Sequence, residues 1–149
     1  MSLPKAYSLE ELHPGMSESF SKTVTEVDIV LFADVTGDTN PVHLDAAFAA
    51  ETIFKERIAH GMLSAGLIST VFGTKMPGPG CIYINQSLNF KAAVKIGDRV
   101  TATVTVKDVH ADKKRVVFET VCCVGDVVVL DGEATLMPPR RPVMLKAAE

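Results

Sequence analysis

The chain lacks an excess of positive charge. Fifteen Lys and Arg stand against eighteen Asp and Glu, a net charge of −3 over 149 residues. That excludes the basic field by which a protein recruits nucleic acid or an anionic membrane surface. No apolar run reaches the length of a membrane span. The N-terminus has no apolar h-region and instead carries Lys5, Glu10 and Glu11, so no secretory signal is expected and the cytoplasm is the expected compartment. Cysteine is scarce. Cys81, Cys122 and Cys123 are odd in number and lack metal-ligand spacing, so buried free thiols in a reducing compartment are expected. Internal repeats and low-complexity linkers are also missing. What remains, 47% apolar and 22% charged residues, is an ordinary globular composition. It predicts one domain over residues 1–149, with residues 1–14 and 140–149 loose at its ends.

Periodicity supplies the elements. Met16, Phe20 and Val24 predict a strand over 16–24. Thr25, with an acid three residues on at Asp28, reads as a capped helix start. Val27, Val30, Leu31 and Val35 follow at helical spacing, and Gly37 fits the position that ends such a helix. Asp45 predicts the N-cap of a short helix over 46–54 with Ala47, Phe48, Ala50 and Ile53 on its buried face. Lys55, Glu56 and Arg57 read as its solvated exit. Residues 60–72 are apolar nearly all round, which predicts a helix buried on every side. After the Pro77-Gly78-Pro79-Gly80 stop, alternation predicts strands over 81–92, 99–109, 116–124 and 127–137. Joined by short turns, they read as an antiparallel meander wrapped round the buried helix, an α+β domain.

Two stretches carry chemistry. Thr36-Gly37-Asp38-Thr39-Asn40-Pro41-Val42-His43 sets a carboxylate and an imidazole beside a glycine and a proline. Pro41 opposes an ordinary helix and pushes Asn40 towards extended backbone. The segment therefore reads as a stiff loop with Asp38 and His43 turned the same way, as an acid/base pair requires. The plainer alternative is an Asx-turn with His43 merely packed. The second stretch is the helix start at Gly61. Its free N–H groups and the positive end of its dipole suit a polarised carbonyl or a developing oxyanion, although Gly61 and Gly66 also suit close packing. Ser64 and Ser69, small polar residues in that helix, are expected to bond back to carbonyls one turn earlier.

Thr36 to Asp45, followed by His60-Gly61-Met62 and by Ile84-Asn85-Gln86-Ser87-Leu88-Asn89-Phe90, resembles the (R)-specific enoyl-CoA hydratases of the MaoC-like branch of the hotdog fold. The resemblance covers residues 25–137. It implies a homodimeric hotdog, with the helix from Gly61 enclosed by the curved sheet. It further implies reversible addition of water to a trans-2-enoyl-CoA, giving the (R)-3-hydroxyacyl-CoA with no cofactor and no metal. By position, Asp38 and His43 hold one water between them, and Asn40 supports their loop. Gly61 offers its N–H to the thioester carbonyl, and Ser69 lies against the catalytic Asp. The chain departs from the short family members in its longer leading segment, residues 1–14, which bears on chain-length preference. A hotdog thioesterase and a non-catalytic acyl-CoA-binding module are the alternatives. A metal site from Asp38, His43, Asp45 and His60 lacks strong ligand spacing. Lys91, Lys95 and Arg99 offer no unique anchor for the CoA phosphates.

Overall fold

The computed structural model describes residues 5–140. Its central element is α4 (Gly61–Thr74), which packs on a six-stranded antiparallel sheet. In front of it come β1 (Ser17–Thr23), α1 (Glu26–Thr36), α2 (Pro41–Leu44) and α3 (Ala46–Ala50). Behind it come β2 (Ile82–Gln86), β3 (Asn89–Phe90), β4 (Arg99–His110), β5 (Arg115–Val124) and β6 (Val127–Met137). This is the expected hotdog arrangement. Alternate residues of the long strands supply the sheet's side of the core: Val100, Ala102, Val104 and Val106 on β4, Val116 and Phe118 on β5, and Leu130, Ala134 and Leu136 on β6. They meet Ile68, Val71 and Phe72 of α4, and the rings of Phe72 and Phe118 cross edge to face at 4.9 Å.

The strand order differs from a simple meander. It runs β1-β4-β5-β6-β2, with β3 also paired to β6. Only β4, β5 and β6 follow one another. The expected single strand over 81–92 is broken at Ser87 and Leu88 into β2 and β3, and both lie beside the last strand rather than the next one. The cause is the crossing made by residues 91–98. Gly97 N–H donates to the Val24 carbonyl at 2.8 Å, and Val24 N–H to that of Asp98 at 2.9 Å. The turn is thus tied to the end of β1, and β4 starts there, far from β3.

Other expectations also change. The leading segment packs from Tyr7 to Leu12: Tyr7 N–H donates to the Pro77 carbonyl at 2.7 Å, and Ser8 and Leu12 are buried. Of the expected loose tail, residues 140–149, all but Arg140 lie outside the described residues. On α1 the buried residues are Ile29 and Ala33, whereas Val27, Val30, Leu31 and Val35 face outwards. On α3 the buried residue is Ala49, and Phe48 and Ile53 are exposed. Nor is α4 buried on every side. Gly61, Met62, Gly66, Ser69 and Gly73 form an exposed stripe along it. Both adjacent thiols are free, Cys122 buried and Cys123 less so, with a β-bulge between them. No helix among the described residues is long and apolar enough to cross a membrane.

Candidate functional site

Local chemistry builds the first half of the site. Thr25 caps α1 through a reciprocal pair of hydrogen bonds with Asp28, of 3.1 and 3.0 Å. The helix ends at Gly37, whose φ of 77° is the left-handed conformation that glycine adopts without strain. Asp38 follows at once. Its N–H donates to Thr36 Oγ1 at 3.2 Å, and its Oδ1 accepts from Asn40 N–H at 3.3 Å. Asn40 in turn caps the next element, its Oδ1 accepting from Val42 N–H at 3.2 Å. The stretch 41–44 is therefore a single turn of helix rather than a loop. Pro41 occupies its first position, where a missing N–H costs nothing. His43 sits on that turn, buried.

Residues distant in sequence lock this turn in place. His43 Nδ1 lies 2.7 Å from the Ile58 carbonyl. A carbonyl only accepts, so Nδ1 carries the proton, and in the neutral ring Nε2 is left with a lone pair. Arg57, expected to be a solvated exit residue, donates from Nε to the His43 carbonyl at 2.7 Å and from Nη1 to Glu26 on α1 at 2.6 Å. His60, at the start of α4, donates from Nε2 to the Asp38 carbonyl at 3.0 Å. Its ring stacks on that of His43, with centroids 3.8 Å apart, and packs against Phe32 at 4.7 Å. His60 is thus the joint between the two halves of the site. The His-Gly-Met string marked its position, and only the fold shows its contacts. Arg57 left no local signal, because its partner lies 31 residues away.

Asp38 and His43 converge. One potential ligand atom from each of Asp38, His43 and His60 lies within 4.8 Å of the others. Two hydrogen bonds of about 2.8 Å meeting at one water span roughly 4.5 Å, so a single water can bridge the carboxylate and the imidazole. Asp45, the fourth residue weighed for a metal, is used elsewhere. Its Oδ1 accepts from Phe48 N–H at 3.0 Å and caps α3. His43 is 8% exposed, but Asp38 is exposed in the single chain because it sits past the end of α1. Burial pushes the His43 pKa below its ordinary value, and the neighbouring His60 adds to that. The bond to Ile58 and the charge of Asp38 oppose the shift without reversing it. The ring is held neutral, as a hydrogen-bond acceptor must be.

Beside His43 opens a cavity of about 450 Å³, within the range that holds a small ligand, and Asp38 is not part of its wall. Its wall includes His43, Gly61, Ser64, Phe90, Val129 and Leu130. Gly61 is a close-approach glycine: a Cβ there would stand 2.6 Å from the Phe90 ring. The start of α4 therefore reaches the cavity. Ser69 does not border it. Eight residues beyond Gly61, it lies about 12 Å further along the helix axis, exposed among Met62, Gly66 and Gly73. The serine of α4 that borders the cavity is Ser64. Of the cations weighed for phosphate, Lys91 pairs with Asp131 at 3.4 Å and Lys95 with Glu56 at 3.5 Å, both in solvent.

Known proteins resemble this chain in sequence and in fold. Residues 11–130 match the family described as MaoC like domain. The chain is 58% identical to an (R)-specific enoyl-CoA hydratase from Rhodospirillum rubrum, over 89% of this chain and 92% of that one. It is 49% identical to a 3-hydroxybutyryl-CoA dehydratase from Methylorubrum extorquens, over 89% and 84%. Among solved structures, the unliganded R-hydratase PhaJ1 from Pseudomonas aeruginosa superimposes with a TM-score of 0.87 at 44% identity, covering 97% of this chain and 93% of that one.

Proposed function

The chain belongs to the MaoC-like domain family, and from that premise we propose that it hydrates trans-2-enoyl-CoA reversibly to the (R)-3-hydroxyacyl-CoA. The observation that carries this reading is the convergence of Asp38 and His43 next to a cavity that reaches the N-terminus of α4. The thioester oxygen lies at the Gly61 N–H, where helix dipole and free donor stabilise the charge that gathers as the β-carbon is attacked. A water sits between Asp38 and His43 and donates to both, which turns its lone pair to the β-carbon. As the C–O bond forms, Asp38 takes the water's proton while the neutral His43 holds the water in place. The α-carbon takes up one proton and Asp38 gives up the one it took, so that one water is added across the double bond and the pair is restored. Asn40 contributes by capping α2.

The homodimer belongs to the same proposal. The exposed stripe of α4, the apolar outer face of α1 and the exposed Ile82, Tyr83 and Ile84 of edge strand β2 together leave unprotected surface that a second copy would cover. Asp38 and Ser69 are both exposed in the single chain, so this association is what would bring a serine hydroxyl to the carboxylate. Sedimentation should give twice the chain mass. Action in the cytoplasm and in fatty-acid metabolism belongs to the same proposal, and the enoyl-CoA and 3-hydroxybutyryl-CoA named for the relatives support its metabolic part.

The test is an assay over crotonyl to dodecenoyl thioesters, following loss of the conjugated enoyl absorbance and release of free thiol, with the product's stereochemistry determined. Hydration to the R product without thiol release is expected. Thiol release without hydration would make the protein a thioesterase, and binding without turnover a carrier module. Within this site, Gly61→Ala should lower kcat by up to about 100-fold. The added methyl must push Phe90 aside and move the thioester off the helix N-terminus. A near-normal kcat in that variant would separate Gly61 from the carbonyl.

A further inference from the structure

Two buried side-chain polar atoms among the described residues have no hydrogen-bond partner, His60 Nδ1 and Ser64 Oγ. They differ in what they can offer. Because Nε2 of His60 donates to the Asp38 carbonyl, Nδ1 of the neutral ring is an acceptor only, and His60 does not border the cavity. Ser64 does border it, is 2% exposed, and carries a hydroxyl free to donate.

A buried serine in a helix ordinarily bonds back to a carbonyl one turn earlier. Thr70 and Thr74 of the same helix do so, to the carbonyls of Gly66 at 3.3 Å and Thr70 at 2.6 Å. Ser64 does not. Leaving a buried donor unsatisfied is costly unless something else completes it. Ser64 follows Gly61 by three residues, so the two share one face of α4 one turn apart, and both line the same cavity. Of the other polar side chains in its wall, His43 is bonded through Nδ1 and Lys91 is paired with Asp131.

We propose that the Ser64 hydroxyl is a substrate-contacting donor, the second of two on the thioester oxygen beside the Gly61 N–H. The inference rests on the hydratase reading and adds a side chain to what would otherwise be a backbone-only oxyanion site. No proton leaves Ser64; it donates a hydrogen bond that strengthens as charge gathers on the oxygen and relaxes as the thioester re-forms.

Steady-state hydration by Ser64→Ala and Ser64→Cys, with thermal melts and pH profiles beside the wild type, tests this. In Ser64→Ala, kcat and kcat/KM should fall together by about 10- to 100-fold with KM little changed, the mark of a donor used in the transition state. Ser64→Cys, whose S–H is a weak donor of similar size, should fall between the two. The melting temperature of Ser64→Ala should be equal to or above wild type, because no bond within the protein is lost. The pH profile should keep its shape, since serine does not titrate. An alanine variant at wild-type kcat/KM, or one that loses stability while keeping its turnover, would overturn the inference, as would a rise in KM alone. Each of those outcomes leaves the hydratase reading standing. A wild type that does not hydrate enoyl thioesters at all would remove both.

Discussion

Asp38→Asn should fold normally and lose about three to four orders of magnitude in hydration rate, near the upper end of what a positioned acid/base group contributes. The fold is insulated because Asp38 is exposed and its carboxylate makes one protein hydrogen bond, accepting from Asn40 N–H. An asparagine Oδ1 accepts that bond equally well. The other ties of this residue, from His60 to its carbonyl and from its own N–H to Thr36, are made by the backbone and survive. What disappears is the group proposed to take the water's proton. Thermal melting, sedimentation and turnover measured on one preparation check this. A folded variant that retains more than about a tenth of wild-type turnover would show that the proton goes elsewhere.

The second large effect concerns His43. Its folded pKa lies below the ordinary 6.5, chiefly because burial penalises the imidazolium. The unfolded chain therefore binds this proton at a pH where the folded chain does not. The stability that follows is fully present above about pH 6.5 and is lost as the pH falls from there through the folded pKa. Activity should fall over the same window, because protonation turns Nε2 from acceptor to donor and leaves the water without its second hold. A kcat/KM profile and melts taken across the acid side should decline together. His43→Asn removes Nε2 but places an amide nitrogen near the position of Nδ1, so the bond to the Ile58 carbonyl can persist. That variant should lose about 10²- to 10⁴-fold in turnover while its acid-side loss of stability flattens. If its activity and its acid sensitivity both match wild type, His43 is a packing residue.

Much of the site was readable before any coordinates. The Thr25/Asp28 capping box, the left-handed Gly37, the Asp45 cap and the Gly61 helix start are each set by residues within a few positions of one another, and all formed as read. The strands of the second half were also legible, because a two-residue period with one buried face leaves a plain pattern. The failures share another cause. Val27, Val30, Leu31 and Val35 have helical spacing, yet they face outwards while Ile29 and Ala33 are buried. Periodicity shows that a helix has an apolar stripe, not which surface that stripe meets. Pro41 opposes a helix in its interior and favours one at its first residue, so its effect depended on where the turn began.

By itself the sequence determined the stiff backbone that presents Asp38 and His43, because caps, prolines and glycines act through bonds spanning only a few residues. The tertiary structure alone decided that β2 and β3 lie against β6, that Arg57 and His60 hold the His43 turn and the Asp38 carbonyl, and that Ser64 rather than Ser69 borders the cavity. Those outcomes depend on partners 14 to 55 residues apart, brought together only when the sheet closes over α4 and buries its apolar face.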